Sequence, residues 1–236
     1  MKHEQESAMK KSKKAAAEKA KKKILIVDDH PIMRQGLALL VRTDETLEVC
    51  GEAESASKAV EAAMRLKPDL VIADISLPGR NGLELIKDLH ALQPGLPVLV
   101  VSMHDESIYA ERVLRAGGRG YVMKGEGSQK LMTAIQQVLS GGIFVSQNIS
   151  AQILELFSGR RSSASPVEKL SDREFEVFQL IGQGRSTREI AAELHISIKT
   201  VEVHRVNIKE KLDLKTASEL IHYAVRWVDG QGAAGA

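Results

Sequence analysis

The 236-residue chain holds a single cysteine, Cys50. That excludes an internal disulfide and fits a reducing compartment. No apolar run approaches the roughly 18 residues that a membrane span needs. The lysine-rich N-terminus has no apolar segment behind it, so it does not read as a secretory signal. No internal repeat is visible. Neither sign of charge prevails, since 33 Lys and Arg face 31 Asp and Glu. The expectation from these absences is a cytoplasmic protein without membrane contact.

What is present is unevenly distributed. Residues 1–23 carry nine Lys against three Glu, residues 24–145 twelve basic against sixteen acidic side chains, and residues 170–228 nine of each. A basic extension, an acidic body and a balanced C-terminal module are three separate things. Residues 1–23 have almost no large apolar side chains and read as a disordered basic extension rather than a nucleic-acid-binding arm.

From residue 24 to 142, apolar runs at 24–27, 47–50, 70–73, 98–101 and 121–123 alternate with amphipathic segments near 31–42, 55–66, 82–92, 105–116 and 127–140. Short β-forming runs between helices of ten to fourteen residues predict βαβ units. The fold class is α/β, a (βα)5 doubly wound parallel sheet with helices on both faces. Residues 143–169 read as a connector, with a short helix over 146–157 and a flexible stretch over 159–166. Residues 170–228 then read as a second, all-α domain of four helices. Ser171 with Glu174 and Ser186 with Glu189 make capping-box patterns, and Ser197 caps a longer helix. Two short helices, a tight turn at 195–197 and that longer helix spell helix-turn-helix. Residues 229–236 read as a flexible tail.

Four of the apolar runs end in chemically useful groups. The first runs into Asp28 and Asp29, the second into Asp74, the third into Ser102, and the last into Lys124. Ligands of doubly wound sheets bind beyond the carboxyl ends of the strands, so these groups should converge. Mg²⁺ takes hard oxygen ligands, here Asp29 and Asp74 directly, Asp28 through water, and the Ser76 backbone carbonyl. Asp74 is then a nucleophile that needs no base, Lys124 a fixed charge for phosphoryl oxygens, and Ser102 a hydrogen-bond donor to one of them. Taken singly, paired acids after a strand flank a helix dipole and a lysine is solvated. Five matching groups at four strand ends are not independent accidents.

The pieces ILIVDDHP, DLVIADISLPGRNGLEL, VLVVSMHD and GGRGYVMKG resemble the receiver domain of bacterial two-component response regulators, which is flavodoxin-like. The stretch LSDREFEVFQLIGQGRSTREIAAELHISIKTVEVHRVNIKEKL resembles the LuxR-type helix-turn-helix. Together they make the chain similar to NarL/FixJ-type response regulators over residues 24–228. The resemblance implies Asp74 as phosphoacceptor, Ser102 and Tyr121 as switch residues, and Lys124 as the phosphoryl-binding lysine. It also implies a sensor histidine kinase as phosphodonor and a receiver that occludes the recognition helix until phosphorylated. Gly125 follows the lysine where many receivers have proline, and Asn81 stands where an acid is common.

In the third C-terminal helix, Val201, His204, Ile208 and Leu212 recur at three and four and form the inward stripe. The other side carries Lys199, Thr200, Glu202, Val203, Arg205, Val206 and Lys209 and would enter the major groove of double-stranded DNA. Lys199, Arg205, Lys209, Lys211 and Lys215 would serve phosphates. The last helix carries more apolar surface than one small bundle needs, which points to a homodimer. The expected function is phosphorylation-controlled, sequence-specific DNA binding, with no enzyme activity beyond self-phosphorylation and autodephosphorylation. A constitutive DNA binder with the receiver as dimerisation scaffold is the alternative. A phosphatase would need an acid where Ser76 stands.

Overall fold

Runs of Val, Ile and Leu buried on both faces make central parallel strands rather than alternating surface ones. In the computed structural model, which describes residues 21–151 and 166–234, they form one five-stranded parallel sheet. Its strands are β1 (Lys22–Val27), β2 (Leu47–Ala53), β3 (Leu70–Ala73), β4 (Val98–Ser102) and β5 (Gly120–Met123). Their order across the sheet is β2-β1-β3-β4-β5. The helices between them are α1 (Pro31–Arg42), α2 (Ala56–Leu66), α3 (Gly82–Leu92) and α4 (Glu106–Arg115), and α5 (Ser128–Leu139) follows β5.

Alternation along the strands divides the core in two. Ile24, Ile26, Leu70, Ile72, Leu99, Val101 and Val122 face α1 and α5. Leu25, Val27, Val71, Val98, Val100 and Tyr121 face α2, α3 and α4. Strand order reverses between β1 and β3, and there the carboxyl ends of these two strands open the crevice that such topologies use for ligands. β2 reaches Ala53, beyond the apolar run at 47–50, because Gly51, Glu52 and Ala53 pair with Leu25, Ile26 and Val27 of β1.

The C-terminal part begins with a 3₁₀ turn at Pro166–Lys169 and continues through α6 (Asp172–Gly182), α7 (Thr187–Glu193), α8 (Ile198–Lys211) and α9 (Ala217–Ala234). Both capping boxes form, at Ser171 and Ser186, and Ser197 caps α8 by accepting from the Thr200 amide. Gly182 lets α6 and α9 meet, for a Cβ there would lie 2.5 Å from the Ala224 carbonyl oxygen. The last helix continues to Ala234 and takes in most of the 229–236 stretch read as a tail. The expected helix over 146–157 is helical at 147–151. Its remainder, most of the 159–166 stretch and residues 1–20 lie outside the described residues.

Candidate functional site

Ladder hydrogen bonds bring the strand-end groups together. The Asp74 amide donates to the Val27 carbonyl at 2.9 Å, the Asp28 amide to Ala53 at 3.1 Å, and the Lys124 amide to Ser102 at 2.8 Å. The Lys124 ammonium then lies 2.7 Å from Asp74 Oδ2 and 2.8 Å from Asp28 Oδ2. Asp28, Asp74 and Ser102 are buried, and the Lys124 side chain is only 5% exposed. Burial alone would lower the lysine's pKa, but Asp74 and Asp28 outweigh it and hold the ammonium above its ordinary value. Ligand atoms of Asp28, Asp29, His30 and Asp74 all lie within 4.8 Å of one another.

That donor set suits a hard divalent cation. Asp28 and Asp74 flank the Lys124 ammonium and Asp29 lies next to them, and two buried carboxylate oxygens, Asp28 Oδ2 and Asp29 Oδ1, have no hydrogen bond among the described residues. Lys124 Nζ stands 2.8 Å from Asp28 Oδ2, and His30 Nδ1 2.7 Å from Asp29 Oδ1. An oxygen-rich, negatively biased pocket of this kind is what Mg²⁺ takes.

Ser76, in the loop after β3, has its hydroxyl 2.9 Å from His104 Nε2. Burial holds the His104 imidazole below its ordinary pKa, against the pull of Asp74. The His104 amide donates to Ser102 Oγ at 3.4 Å, and its carbonyl accepts from the Tyr121 hydroxyl at 2.9 Å. Tyr121 is fully buried, which pushes its phenol pKa up. His104 thus touches Ser76, Ser102 and Tyr121 at once. Gly82 closes the floor: a Cβ there would sit 2.2 Å from the Asp74 carbonyl oxygen, so only glycine lets α3 start this close to β3.

Sequence patterns carry no signal for how α3 and α4 meet α6. Asn81 accepts from the Glu84 amide to cap α3 and, through its Nδ2, donates to Glu176 Oε1 at 3.0 Å. Lys87 donates to Asp172 Oδ2 at 2.6 Å. The Tyr109 hydroxyl donates to Gln179. Arg112 donates to the carbonyls of Val167 and Leu170, pairs with Asp172, and lays its guanidinium 3.9 Å above the Phe175 ring. Residues 55 to 95 positions apart in the chain make these bonds, beyond the reach of any local pattern. Rings continue the contact from His104 to Tyr109, then Phe175, then Trp227 on α9, with centroids 4.8, 5.6 and 5.5 Å apart.

On α8 and at its C-cap Leu212, Val201 and Ile208 are fully buried and His204 and Leu212 partly so, while Lys199, Thr200, Glu202, Val203 and Val206 are exposed. Arg205 and Lys209 are half-buried beside them. His204 faces inward, and its buried Nδ1 has no hydrogen-bond partner among the described residues. Lys211 is committed elsewhere: it donates to Glu174 of α6 at 2.6 Å, so it braces the bundle. With α3 and α4 docked on α6, the outer face of α8 stays open, with Val203 51% and Val206 47% exposed. This departs from the expected occlusion of the recognition helix, because the docked surface is α6.

The response regulator receiver domain family matches residues 24–136, and the bacterial regulatory proteins of the luxR family match residues 168–224. The chain is 34% identical over 210 residues to the oxygen regulatory protein NreC of Staphylococcus haemolyticus, covering 86% of this chain and 97% of that protein. It is 36% identical over 205 residues to the response regulator GacA of Pseudomonas aeruginosa, covering 86% and 95%. Among solved structures, RcsB of Salmonella enterica serovar Typhimurium, bound to promoter rprA in the presence of the phosphomimetic BeF3⁻, is 26% identical with a TM-score of 0.59, over 87% of this chain and 98% of that one. A two-component response regulator of the LuxR family from Aurantimonas is 32% identical with a TM-score of 0.55, over 59% of this chain and 99% of that one. With its receiver sheet, its strand-end acids and its helix-turn-helix, the chain belongs to the bacterial response regulators of the NarL/FixJ type, which join a receiver domain to a luxR-family regulatory domain.

Proposed function

We propose that Asp74 accepts a phosphoryl group and that this controls sequence-specific binding of double-stranded DNA by the exposed face of α8. The observation that carries the reading is the Lys124 ammonium, held from β5 within 2.8 Å of carboxylates from β1 and β3. A phosphoryl on Asp74 takes that ammonium as partner, and the Ser102 hydroxyl donates to a second oxygen. Asp28, Asp29 and Asp74, with the Ser76 carbonyl, would hold Mg²⁺, which supplies charge neutralisation at the phosphoryl oxygens. Tyr121 and His104 respond through the hydrogen bond they already share. The phosphodonor is a sensor histidine kinase, or a small acyl phosphate, in the cytoplasm. The activity is self-phosphorylation and autodephosphorylation, with no other turnover.

Lys199, Thr200, Glu202, Val203, Arg205, Val206 and Lys209 make the DNA face, the cations on phosphates and the valines on thymine methyls. A second chain joins through the outer side of α9, where Ile221 is 42% exposed. The test is radiolabelled acetyl phosphate with Mg²⁺: wild type incorporates label and Asp74→Asn does not. Unchanged labelling of Asp74→Asn removes the acceptor assignment.

The open face of α8 favours a second reading, a constitutive DNA binder whose receiver serves as a scaffold. Operator fragments selected from a random pool decide between the two. Equal affinity with and without acetyl phosphate supports the constitutive reading, and a phosphorylation-dependent rise supports control by Asp74.

A further inference from the structure

A histidine directly follows the paired acids of the pocket, in the order Asp28, Asp29, His30, Pro31. His30 is the N-cap of α1, a place where a side chain commonly accepts from the first helix amides. Its side chain makes no such bond. The His30 amide instead donates to Asp28 Oδ1 at 2.8 Å, which turns the residue back over the acids. Nδ1 then lies 2.7 Å from Asp29 Oδ1 and 3.4 Å from Asp28 Oδ1. A ring nitrogen also comes within 4.8 Å of an Asp74 carboxylate oxygen. With its side chain 66% exposed, the imidazole stands at the rim, where an ion arriving from solvent meets it first.

A nitrogen donor is worth more to some cations than to others. Mg²⁺ takes oxygen and keeps several waters, so an imidazole adds little to its binding. Imidazole suits Zn²⁺, and sites of mixed nitrogen and oxygen ligands hold the later first-row divalent ions more tightly than Mn²⁺. We infer that His30 sets the cation preference of the pocket: its imidazole joins the Asp28, Asp29 and Asp74 carboxylates in binding first-row transition-metal ions, Zn²⁺ above all, and these displace Mg²⁺. This rests on the reading of the three carboxylates as a divalent-cation site. An imidazole that did no more than hydrogen-bond Asp29 would orient that carboxylate and serve every cation alike. A direct ligand separates Zn²⁺ from Mg²⁺, and an orienting one does not.

The test uses the full-length chain at about pH 8, where a free imidazole is neutral. Mn²⁺ is the reporter, because its sharp electron paramagnetic resonance signal falls when the ion passes from solution to the protein. Mg²⁺ and Zn²⁺, each at known free concentration, compete it away and give both affinities at the one site. His30→Ala and His30→Phe both remove the ring nitrogens. The second keeps a ring in place, and thermal unfolding checks that each variant folds. Loss of a nitrogen ligand should weaken Zn²⁺ about tenfold or more in both variants. Mg²⁺ should change less than about twofold. Wild type with Mn²⁺ should show the spin-echo modulation of a directly bound imidazole nitrogen, and both variants should lack it. An unchanged Zn²⁺ affinity, or an equal loss for Zn²⁺ and Mg²⁺, overturns the assignment to His30. Nitrogen modulation that persists in the variants overturns it too. Asp29→Ala separates this failure from a broader one: Mn²⁺ binding indifferent to Asp29 overturns the reading of the carboxylates as a cation site as well.

Discussion

At the residue scale, the site is governed by close approaches that single atoms decide. Gly82→Ala places a methyl 2.2 Å from the Asp74 carbonyl oxygen, which backbone shift must relieve. Overpacking of this sort costs about 1–3 kcal/mol, so the variant should melt lower and accept acetyl phosphate more slowly, as thermal unfolding and labelling would measure. Lys124→Ala removes the ammonium that pairs with Asp28 and Asp74. Loss of a preorganised charge partner typically costs about 100-fold or more in rate, and labelling of this variant checks it. Chelating Mg²⁺ with EDTA should abolish labelling of wild type altogether. The positions of Asp28, Asp29, Asp74, Ser102 and Lys124 were legible in the sequence because each ends, or stands within two residues of, an apolar run that reads as a buried strand. The part of His104 was not. Its contacts to Ser76, Ser102 and Tyr121 depend on how two loops close over the strand ends, and no spacing encodes that.

Among the elements, α6 joins the two halves. Its Glu176 is buried with Oε1 on Asn81 and Oε2 on Arg173. Burial raises its carboxyl from the ordinary 4.5 to about 7, against the pull of Arg173 and Asn81. Separation of α6 from α3 returns this group to water, so the docked form binds the extra proton. Docking is therefore strongest below about pH 4.5 on this account and weakens as pH rises through about 7. Small-angle scattering should find a more compact chain at pH 6 than at pH 8, and Glu176→Gln should flatten that difference. The fold of these elements was readable from periodicity and caps: the boxes at Ser171 and Ser186 form as the spacing requires. Their mutual docking was not, because Lys87, Tyr109 and Arg112 look like ordinary helix-surface residues until α6 meets them. On α8, Lys209→Ala should weaken binding evenly across DNA sequences. It should lower the salt slope by about 0.9 for each phosphate the variant no longer neutralises, measured by titration at several salt concentrations.

For the whole molecule, the docked surface separates the proposed phosphoryl site from the proposed DNA face: α6 meets the receiver and the outer face of α8 does not. The acidic pocket opens towards α6, while the face of α8 proposed for DNA and Ile221 on α9 remain exposed. The dimer proposed through α9 does not involve the docked surface, so Ile221→Glu should leave phosphorylation intact while sedimentation shows loss of the dimer on DNA. One consequence of the ring contacts is optical. The chain has a single tryptophan and three tyrosines. Trp227 lies 5.5 Å from Phe175, which in turn lies 5.6 Å from Tyr109 on the other side of the interface. In the closed chain Tyr109 is therefore near enough for its excitation to drain into Trp227. When α6 lifts from α4, that transfer falls and tyrosine emission returns, so the native protein carries its own gauge of whether its two halves are together.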